Sequence, residues 1–360
     1  MVGGARHHYS MTERWRLPPT LLPDGERRDL WVADGILTAE PIDDAEPLPG
    51  RYALPGLVDA HCHLALDHHL AALDRDGARA ALLRARDSGV LLVRDVGAPS
   101  SVTLGITPEP GLPPLQAAGR WLAPPGGFFP DLHDPVRAEH LVEMALAEVA
   151  RGARWVKIVA DWPQGESAER RAVASYDTAT LRGVVDAAHA AGARVAAHSV
   201  SPFVADLVRL GVDSIEHGIF LDEPTLASMA ARGVAWTPTL QAVTAPLPAD
   251  APAERRERVA ASIENVRALL PVAVRLGVTV MTGTDVAGTV ADEVSLLAQF
   301  GLPPVEALRA ATTAARVFLG APALDAGARG DVVTYDADPR DDPTVLAHPR
   351  AIVLNGQRVR

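Results

Sequence analysis

Cysteine and long apolar runs are almost absent from this chain of 360 residues. The single cysteine, Cys62, excludes an intrachain disulfide and is typical of a protein from a reducing compartment. No stretch approaches the ~20 apolar residues that cross a membrane, and the N-terminus lacks the apolar segment of a secretory signal. We therefore expect a cytoplasmic globular protein whose translation starts at Met1 or at Met11.

Aromatic residues and positive charges are also in the minority. Aromatic residues make up 4% of the chain and hydrophobic residues 48%, which predicts a large core built from alanine, valine and leucine. The formal net charge of −11 argues against nucleic acid or an anionic membrane as a partner. A small-molecule substrate is compatible with this charge, and the alanine-rich stretches would permit a homo-oligomer.

Lysine is the rarest charged residue. Lys157 is the only one, and the other 33 of the 34 basic residues are arginines. It lies in the apolar run 155–159, which predicts a buried strand. A buried amine is costly unless it is paired or chemically changed, and a neutral amine can add CO2 to form a carbamate that bridges metal ions. Lys157 is therefore a candidate metal ligand, although an ion pair with an acidic residue would also explain it.

Apolar strand patterns alternate with alanine-rich helix patterns through the middle of the chain. The clearest helix begins at a cap, Asp177 or Thr178, and ends at Gly192. Strand candidates lie at 56–58, 90–93, 115–117, 155–159, 194–196, 212–215, 234–236 and 278–281. Eight strands alternating with helices predict an α/β fold of the (β/α)8 TIM barrel type.

The two ends of the chain predict a second, smaller unit. Strand patterns and turn dipeptides occur at 29–33, 34–35, 330–335, 351–354 and 355–356. We expect these segments to pair into a small β-sandwich domain formed by residues 1–55 and 325–360. The barrel domain would then occupy residues 56–324.

Residues that bind metals occur at five of the eight predicted strands. They are His61 and His63 on the first strand, Lys157 on the fourth, His198 on the fifth, His217 on the sixth and Asp285 on the eighth. The C-terminal ends of barrel strands form the face that carries the active site. Because side chains alternate along a strand, His61 and His63 are expected to face the barrel axis and Cys62 the helix layer.

These residue types suit a divalent transition metal. Imidazoles, a carboxylate and a carbamate are ligands for Zn, Mn or Co. Six ligands exceed the four of one tetrahedral ion, but they fit two ions that share a bridging ligand. An isolated strand histidine is more often a buried core residue than a ligand, so the agreement between five strands is what favours a metal centre.

The segments around these ligands resemble the amidohydrolase superfamily over essentially the whole chain. The resemblance is carried by LPGLVDAHCH at 54–63, SIEHG at 214–218, GTD at 283–285 and GDVV at 330–333. Lys157 together with His198 and His217 is most similar to the imidazolonepropionase-related and prolidase-like branch, which has a carboxylated lysine.

This resemblance implies a role for each ligand and two divalent ions, with zinc as the expected metal. The implied ligands of the more buried ion are His61, His63 and Asp285, and those of the second ion are His198 and His217. N6-carboxylated Lys157 and a hydroxide would bridge both ions. The hydroxide would attack a carbonyl, and Asp285, as the catalytic residue, would pass the proton to the leaving amine or alkoxide.

One departure from the family pattern concerns the substrate. Relatives in this branch often carry a histidine after a Gly-Gly pair that follows the third strand, whereas Gly126-Gly127 is followed here by Phe128-Phe129. Phe128 and, in the loop after Lys157, Trp162 are candidate substrate-binding residues, although Trp162 could equally cover the core. These residues favour a less polar amide, carbamate, ester or lactam over a dipeptide.

Two other functions fit the same barrel. A mononuclear deaminase would use Lys157 as a substrate contact or a structural residue. That reading needs a glutamate near the fifth and sixth strands, and Glu216 is expected to face away from the metals and to form an ion pair or orient a ligand. A catalytically inactive scaffold is disfavoured because none of the six expected ligands is missing.

Residues around the expected site add three further hypotheses. Asp59 precedes His61 on the same strand face and is expected to orient a ligand. Arg94 and Asp95 either contact the substrate or tie the barrel rim. Residues 241–262, proline-rich and then charged, form either a mobile lid or the start of a solvated helix.

Overall fold

The computed structural model describes residues 13–164 and 171–360, so Met11 lies outside the described residues. It shows a mixed α/β fold with the helices α1 Arg75–Asp87, α2 Leu141–Ala150, α3 Thr178–Ala190, α4 Val204–Leu210, α5 Glu223–Arg232, α6 Leu240–Val243, α7 Ala253–Leu276, α8 Val290–Gln299, α9 Pro304–Ala310 and α10 Thr313–Phe318. Within the described residues, none of the helices combines the length and the apolar character needed to cross a membrane.

Strands occur at both ends of the chain and, alternating with helices, in its centre. The N-terminal strands are β1 Trp15–Arg16, β2 Thr20–Leu21, β3 Glu26–Arg27, β4 Trp31–Ala33, β5 Ile36–Thr38, β6 Glu46–Pro47 and β7 Tyr52–Pro55. The central strands are β8 Leu57–Cys62, β9 Val90–Asp95, β10 Leu115–Ala117, β11 Trp121–Leu122, β12 Trp155–Val159, β13 Asp161–Gln164, β14 Arg171–Ala174, β15 Arg194–Ser199, β16 Ser214–His217 and β17 Ala235–Thr237. The C-terminal strands are β18 Val332–Tyr335, β19 Ala351–Leu354 and β20 Gln357–Arg358.

The central strands form two parallel sheets. One has the order β10-β9-β8 and the other β11-β12-β15-β16-β17, whereas β13 and β14 form a separate antiparallel hairpin. Seven of the eight predicted strands are present. Their outward-facing side chains pack with the helices in one large core, as Val156 and Ile158 of β12 do.

Two of the strand predictions, those of the eighth and the third strand, need correction. Residues 278–281 do not form a regular strand, because their backbone contacts consist of isolated parallel bridges, between Trp236 and Val280 and, just beyond, between Cys62 and Asp285. The predicted third strand continues as β11, which was missed. Its chain turns at Gly119, with φ at +77°, so that β10 pairs with β9 and β11 with β12.

Helix α3 shows how the sequence specifies a helix that packs against the central strands. The side chain of Asp177 accepts a hydrogen bond from the amide of Thr180, which satisfies a donor that the first turn leaves free. Leu181, Val184 and Ala188 follow at helical spacing and are buried. The predicted helix is therefore confirmed, with its cap at Asp177.

The two ends of the chain pair with each other. Strand β7 is antiparallel to β18, with Ala53 opposite Thr334, in a six-stranded sheet of order β20-β19-β18-β7-β2-β3. Strands β5, β4, β1 and β6 form a four-stranded sheet in that order. A separate apolar cluster contains side chains from both ends of the chain, among them Trp15 and Val353. The turn at Asn355-Gly356 is present, with φ at +52° and +78°. The division into domains 1–55 with 325–360 and 56–324 stays a prediction.

Candidate metal centre

Six side chains from five segments of the chain line one cavity of about 330 Å³. They are His61 and His63 at the end of β8, Lys157 in β12, His198 in β15, His217 at the end of β16 and Asp285 in the segment after residue 281. All six residues predicted to bind metal are therefore brought together at one place. Cys62, between two of them, is buried in the core with the helices.

Three of the six side chains form a compact group. Nε2 of His63 lies 3.2 Å from Oδ1 of Asp285, and Nε2 of His61 lies 3.7 Å from the same oxygen. One nitrogen or oxygen from each residue lies within 4.8 Å of the others, which is a spacing that one cation can bridge. We call His61, His63 and Asp285 the first ligand group.

Each of three histidines has its Nδ1 atom tied to an acceptor. Nδ1 of His61 donates to Oε2 of Glu216 at 2.6 Å, and Nδ1 of His63 donates to the carbonyl of Gly97 at 2.8 Å. Nδ1 of His217 lies 2.6 Å from Oγ1 of Thr239, a hydroxyl that itself donates to a carbonyl and therefore accepts from the ring. This arrangement fixes the tautomer and leaves each Nε2 lone pair free to bind a cation.

Lys157 and His198 differ from these residues because the described chain offers them no partner. Nζ of Lys157 and Nε2 of His198 are both buried without a hydrogen bond. Burial lowers the pKa of Lys157 to about 8, with the nearby Arg94 acting in the same direction and Glu216 and Asp285 opposing it. Lys157 and His198 together with His217, whose ring centroid lies 4.6 Å from that of His198, form the second ligand group.

The two ligand groups adjoin, and burial keeps the imidazoles of His61, His198 and His217 neutral. The ring centroids of His61 and His217 are 5.1 Å apart. Burial lowers the pKa of His61 to about 3 and that of His217 to about 4, and it holds the pKa of His198 well below its usual value. Neutral imidazoles are the form that binds metals.

A buried ion pair lies beneath His61. Oε1 of Glu216 accepts from Nη2 of Arg94 at 2.9 Å, and neither side chain is exposed. Burial alone would raise the pKa of Glu216, but Arg94 and His61 outweigh it and hold that pKa well below its usual value. Arg94 also donates to Oγ of Ser214. Two roles were predicted for Arg94, contact with the substrate or a link at the barrel rim. The structure shows a link within the fold, from Arg94 to side chains of β16. Glu216 in turn contacts the ring of His61.

Backbone conformation, which the sequence pattern did not indicate, aims two of the ligands. His217 and Asp285 have φ of +67° and +57°, in the left-handed region that non-glycine residues rarely adopt. At His217 this turn interrupts strand alternation. As a result, both Glu216 and His217 contribute to the site instead of facing opposite ways.

Asp59 joins the strand of His61 to the segment of Asp285. Its Oδ1 accepts from the amide of His61 at 3.3 Å and its Oδ2 accepts from Oγ1 of Thr284 at 2.6 Å. Burial raises the pKa of Asp59 to about 6. Gly283 packs so closely here that an added Cβ would lie 2.5 Å from Cβ of His61. The expected orienting contact of Asp59 is thus present, on the backbone that carries the ligands.

The walls of the cavity contain the two predicted substrate-binding residues. The Trp162 and Phe128 ring centroids are 4.9 Å apart, and the Trp162 centroid lies 5.6 Å from that of His198. Within 241–262, both α6 and the first half of α7 contribute to the wall, through residues such as Val243 and Val259. This segment therefore borders the cavity, whichever of the two predicted roles it has.

Comparisons with known proteins concern the sequence and the fold of the whole chain. A sequence model of the amidohydrolase family matches residues 52–359. A Mycobacterium tuberculosis protein of uncharacterized function is 40% identical over 353 residues, covering 93% of each chain. Among solved structures, a Xaa-Pro dipeptidase with bound methionine has a TM-score of 0.78 at 21% identity, covering 97% of this chain and 100% of its own. A. niger ochratoxinase has a TM-score of 0.77 at 20% identity, covering 97% and 96%. At these identities the two structures show a shared fold.

Proposed function

Because the chain belongs to the amidohydrolase family, we propose that it is a binuclear metal-dependent hydrolase of C–N or ester bonds in small molecules. The bonds would be those of amides, lactams, carbamates or esters. The centre would lie at the C-terminal face of a closed (β/α)8 barrel, in which the segment 278–285 joins the two parallel sheets.

The observation that carries this proposal is the pair of unpartnered buried atoms, Nζ of Lys157 and Nε2 of His198. Buried polar atoms normally have partners, so these two atoms fit a site completed by groups other than protein. The neutral amine of Lys157 would add to the carbon of CO2 and release one proton, which leaves a carbamate with two oxygen ligands. His198, His217 and this carbamate would hold one divalent ion, and the first ligand group would hold the other.

The chemistry follows from the residues around that centre. Two divalent cations, with zinc as the expected metal, supply a deprotonated water near neutral pH and polarise a carbonyl. Asp285 would accept the proton of the attacking water and return it to the leaving nitrogen or oxygen. Burial would raise the pKa of Asp285, but its contact with His63 acts in the opposite direction, and the pKa lies below its usual value. Glu216, Gly97 and Thr239 keep the imidazoles oriented throughout.

A mononuclear deaminase is the second candidate, because the first ligand group alone could hold one ion. That reaction needs a glutamate free to exchange protons with the substrate. Glu216 is instead fully buried and bound to both His61 and Arg94. These contacts of Glu216 favour the binuclear hydrolase over the deaminase. The presence of all six candidate ligands favours it over an inactive scaffold.

The carbamate gives a direct test of the proposal. Protein loaded with zinc and 13C-bicarbonate should show a carbamate carbon signal by NMR, and Lys157→Arg should not, since a guanidinium does not add CO2. Chelation should abolish hydrolysis of a panel of aryl esters, anilides and lactams, and added zinc should restore it. No carbamate signal in the wild type, together with hydrolysis that survives chelation, would contradict the proposal.

A further inference from the structure

The cavity above the ligands has walls with almost no polar group. Apart from the six ligands, the described residues that line it are apolar, with the exception of Ser262. No charged side chain of the described chain, other than Lys157 and Asp285, reaches the lining. A substrate carbonyl at the ligands would therefore lie beside mainly apolar side chains on the sides that the structure describes, with Nε1 of Trp121 as a buried N–H group without a partner.

One part of this lining is a continuous aromatic surface. Ring centroids are 5.3 Å apart for Trp121 and Phe128, 4.9 Å for Phe128 and Trp162, and 5.0 Å for Phe129 and Trp162. These four residues, which we call the aromatic wall, come from β11, from the loop that follows it and from β13. Their edge-to-face and tilted contacts are the favourable arrangements for aromatic rings.

The aromatic wall reaches both ligand groups. The Trp121 ring centroid lies 5.3 Å from that of His63, and the Trp162 centroid lies 5.6 Å from that of His198. A group attached to a carbonyl between the two ligand groups could thus lie beside an aromatic ring. The rest of the lining is mainly aliphatic, with Ile219, Val243 and Val286 among its residues.

A charged substrate would bind poorly in such a cavity. A dipeptide carries an ammonium and a carboxylate, and each would lose water without gaining a counter-ion from the described wall. An aryl group, by contrast, buries a large apolar area and can stack on the rings of the aromatic wall.

We infer that the substrate is an uncharged aryl compound whose ring lies next to the scissile carbonyl group, on the aromatic wall. This inference rests on the proposed function, because it concerns the substrate of that metal centre. Trp162 and Phe128 would then be residues that determine specificity by direct contact with the aryl ring.

Three 4-nitroanilides with one leaving group test the charge requirement: the neutral propionyl compound, the succinyl compound with a carboxylate and the glycyl compound with an ammonium. Calorimetry on the metal-free protein should give a dissociation constant for the neutral compound at least about 100-fold lower than for the other two. Equal or tighter binding of a charged compound would overturn the inference.

The same compounds separate this inference from the proposed function. The metal-loaded protein should hydrolyse the propionyl compound with the highest kcat/KM. If it hydrolyses none of the three while the metal-free binding order holds, the hydrolase proposal is weakened and the inference on the wall is supported. Hydrolysis that favours a charged compound would support the hydrolase and overturn the inference.

Substitution of Trp162 tests the aromatic requirement. Wild type should prefer the propionyl 4-nitroanilide over the propionyl cyclohexylamide by about 10-fold in dissociation constant. Trp162→Leu keeps an apolar side chain and should lose this preference, as should Trp162→Ala. Phe220→Ala removes an exposed ring outside the cavity and should keep it. An unchanged preference in both Trp162 variants would overturn the inference.

Discussion

The two ligand groups differ in what the protein itself provides for them. In the first group, the side chains of His61, His63 and Asp285 contact one another, and the two rings are held by Glu216 and Gly97. In the second group, Nζ of Lys157 and Nε2 of His198 are buried without a partner. The first group is thus already ordered by protein contacts, whereas two members of the second would gain partners only from groups that bind there. This difference is the structural basis on which we propose two ions.

Asp285→Asn should have the largest effect, because it affects both the first ligand group and the proton transfer. An amide keeps the size of the side chain but cannot accept the proton, so kcat should fall by about 1,000-fold or more. Steady-state kinetics on metal-loaded protein would measure this. Asp292→Asn, a change at the exposed start of α8, is the control and should retain activity. Equal activities of the two variants would exclude Asp285 from the reaction.

Glu216→Gln should weaken the first group by a smaller amount. His61 loses the carboxylate that orients it, and loss of such a partner typically lowers metal affinity about 10- to 100-fold. Metal titration with a competing chelator would measure the change. Glu148→Gln is a matched control, since Glu148 is also buried and paired with arginines, Arg120 and Arg151, but contacts no ligand. Both variants should be less stable, and only Glu216→Gln should lose affinity. The same affinity loss in both would show a general structural effect.

Lys157→Met tests whether the second ligand group lowers the stability of the metal-free protein. In that protein the buried amine of Lys157 has no hydrogen-bond partner among the described residues. The folded-state pKa of Lys157, about 8, lies below its ordinary value of 10.5. The free energy of unfolding of the wild type is therefore highest above pH 10.5, where the amine is neutral in both the folded and the unfolded state. It falls as the pH is lowered from 10.5 through 8 and the buried amine becomes protonated. Lys157→Met should consequently be more stable than wild type near neutral pH, by about 3 kcal/mol.

The pH dependence distinguishes this cause from better packing of methionine. Urea unfolding without bicarbonate should show the advantage of Lys157→Met shrinking between pH 8 and pH 10.5. An advantage that stays constant over this range would mean that the amine is not the source of the instability.

The sequence was sufficient to select six candidate ligands that line one cavity, because several of them stand in a strong local pattern. His61 and His63 follow strand alternation, and Lys157 stands out as the only lysine of an apolar strand. The contacts that orient the ligands were harder to predict. Thr239 and Gly97 bind imidazoles through a hydroxyl and a backbone carbonyl, and such groups carry no pattern. Asp59, two residues before His61 on one strand, could be inferred, as could the ion pair of Glu216, although not the arginine that forms it.

The errors in the fold have a similar cause. Residues 278–281 are apolar and β-branched enough to predict a strand, but their hydrogen bonds depend on two neighbouring segments distant in sequence. Strand β11 has only two residues, too few for a periodic pattern, and it exists because Gly119 turns the chain toward β12. Tertiary contacts decide both cases, and a single sequence does not show them.

The most direct test of two ligand groups is the metal content per chain. Wild type and Lys157→Ala, both prepared with bicarbonate and zinc, would be measured by elemental analysis. We predict two ions per chain in the wild type and one or none in Lys157→Ala, because the second group loses its bridging ligand. One ion per chain in both proteins would contradict the binuclear centre and would favour mononuclear chemistry at His61, His63 and Asp285.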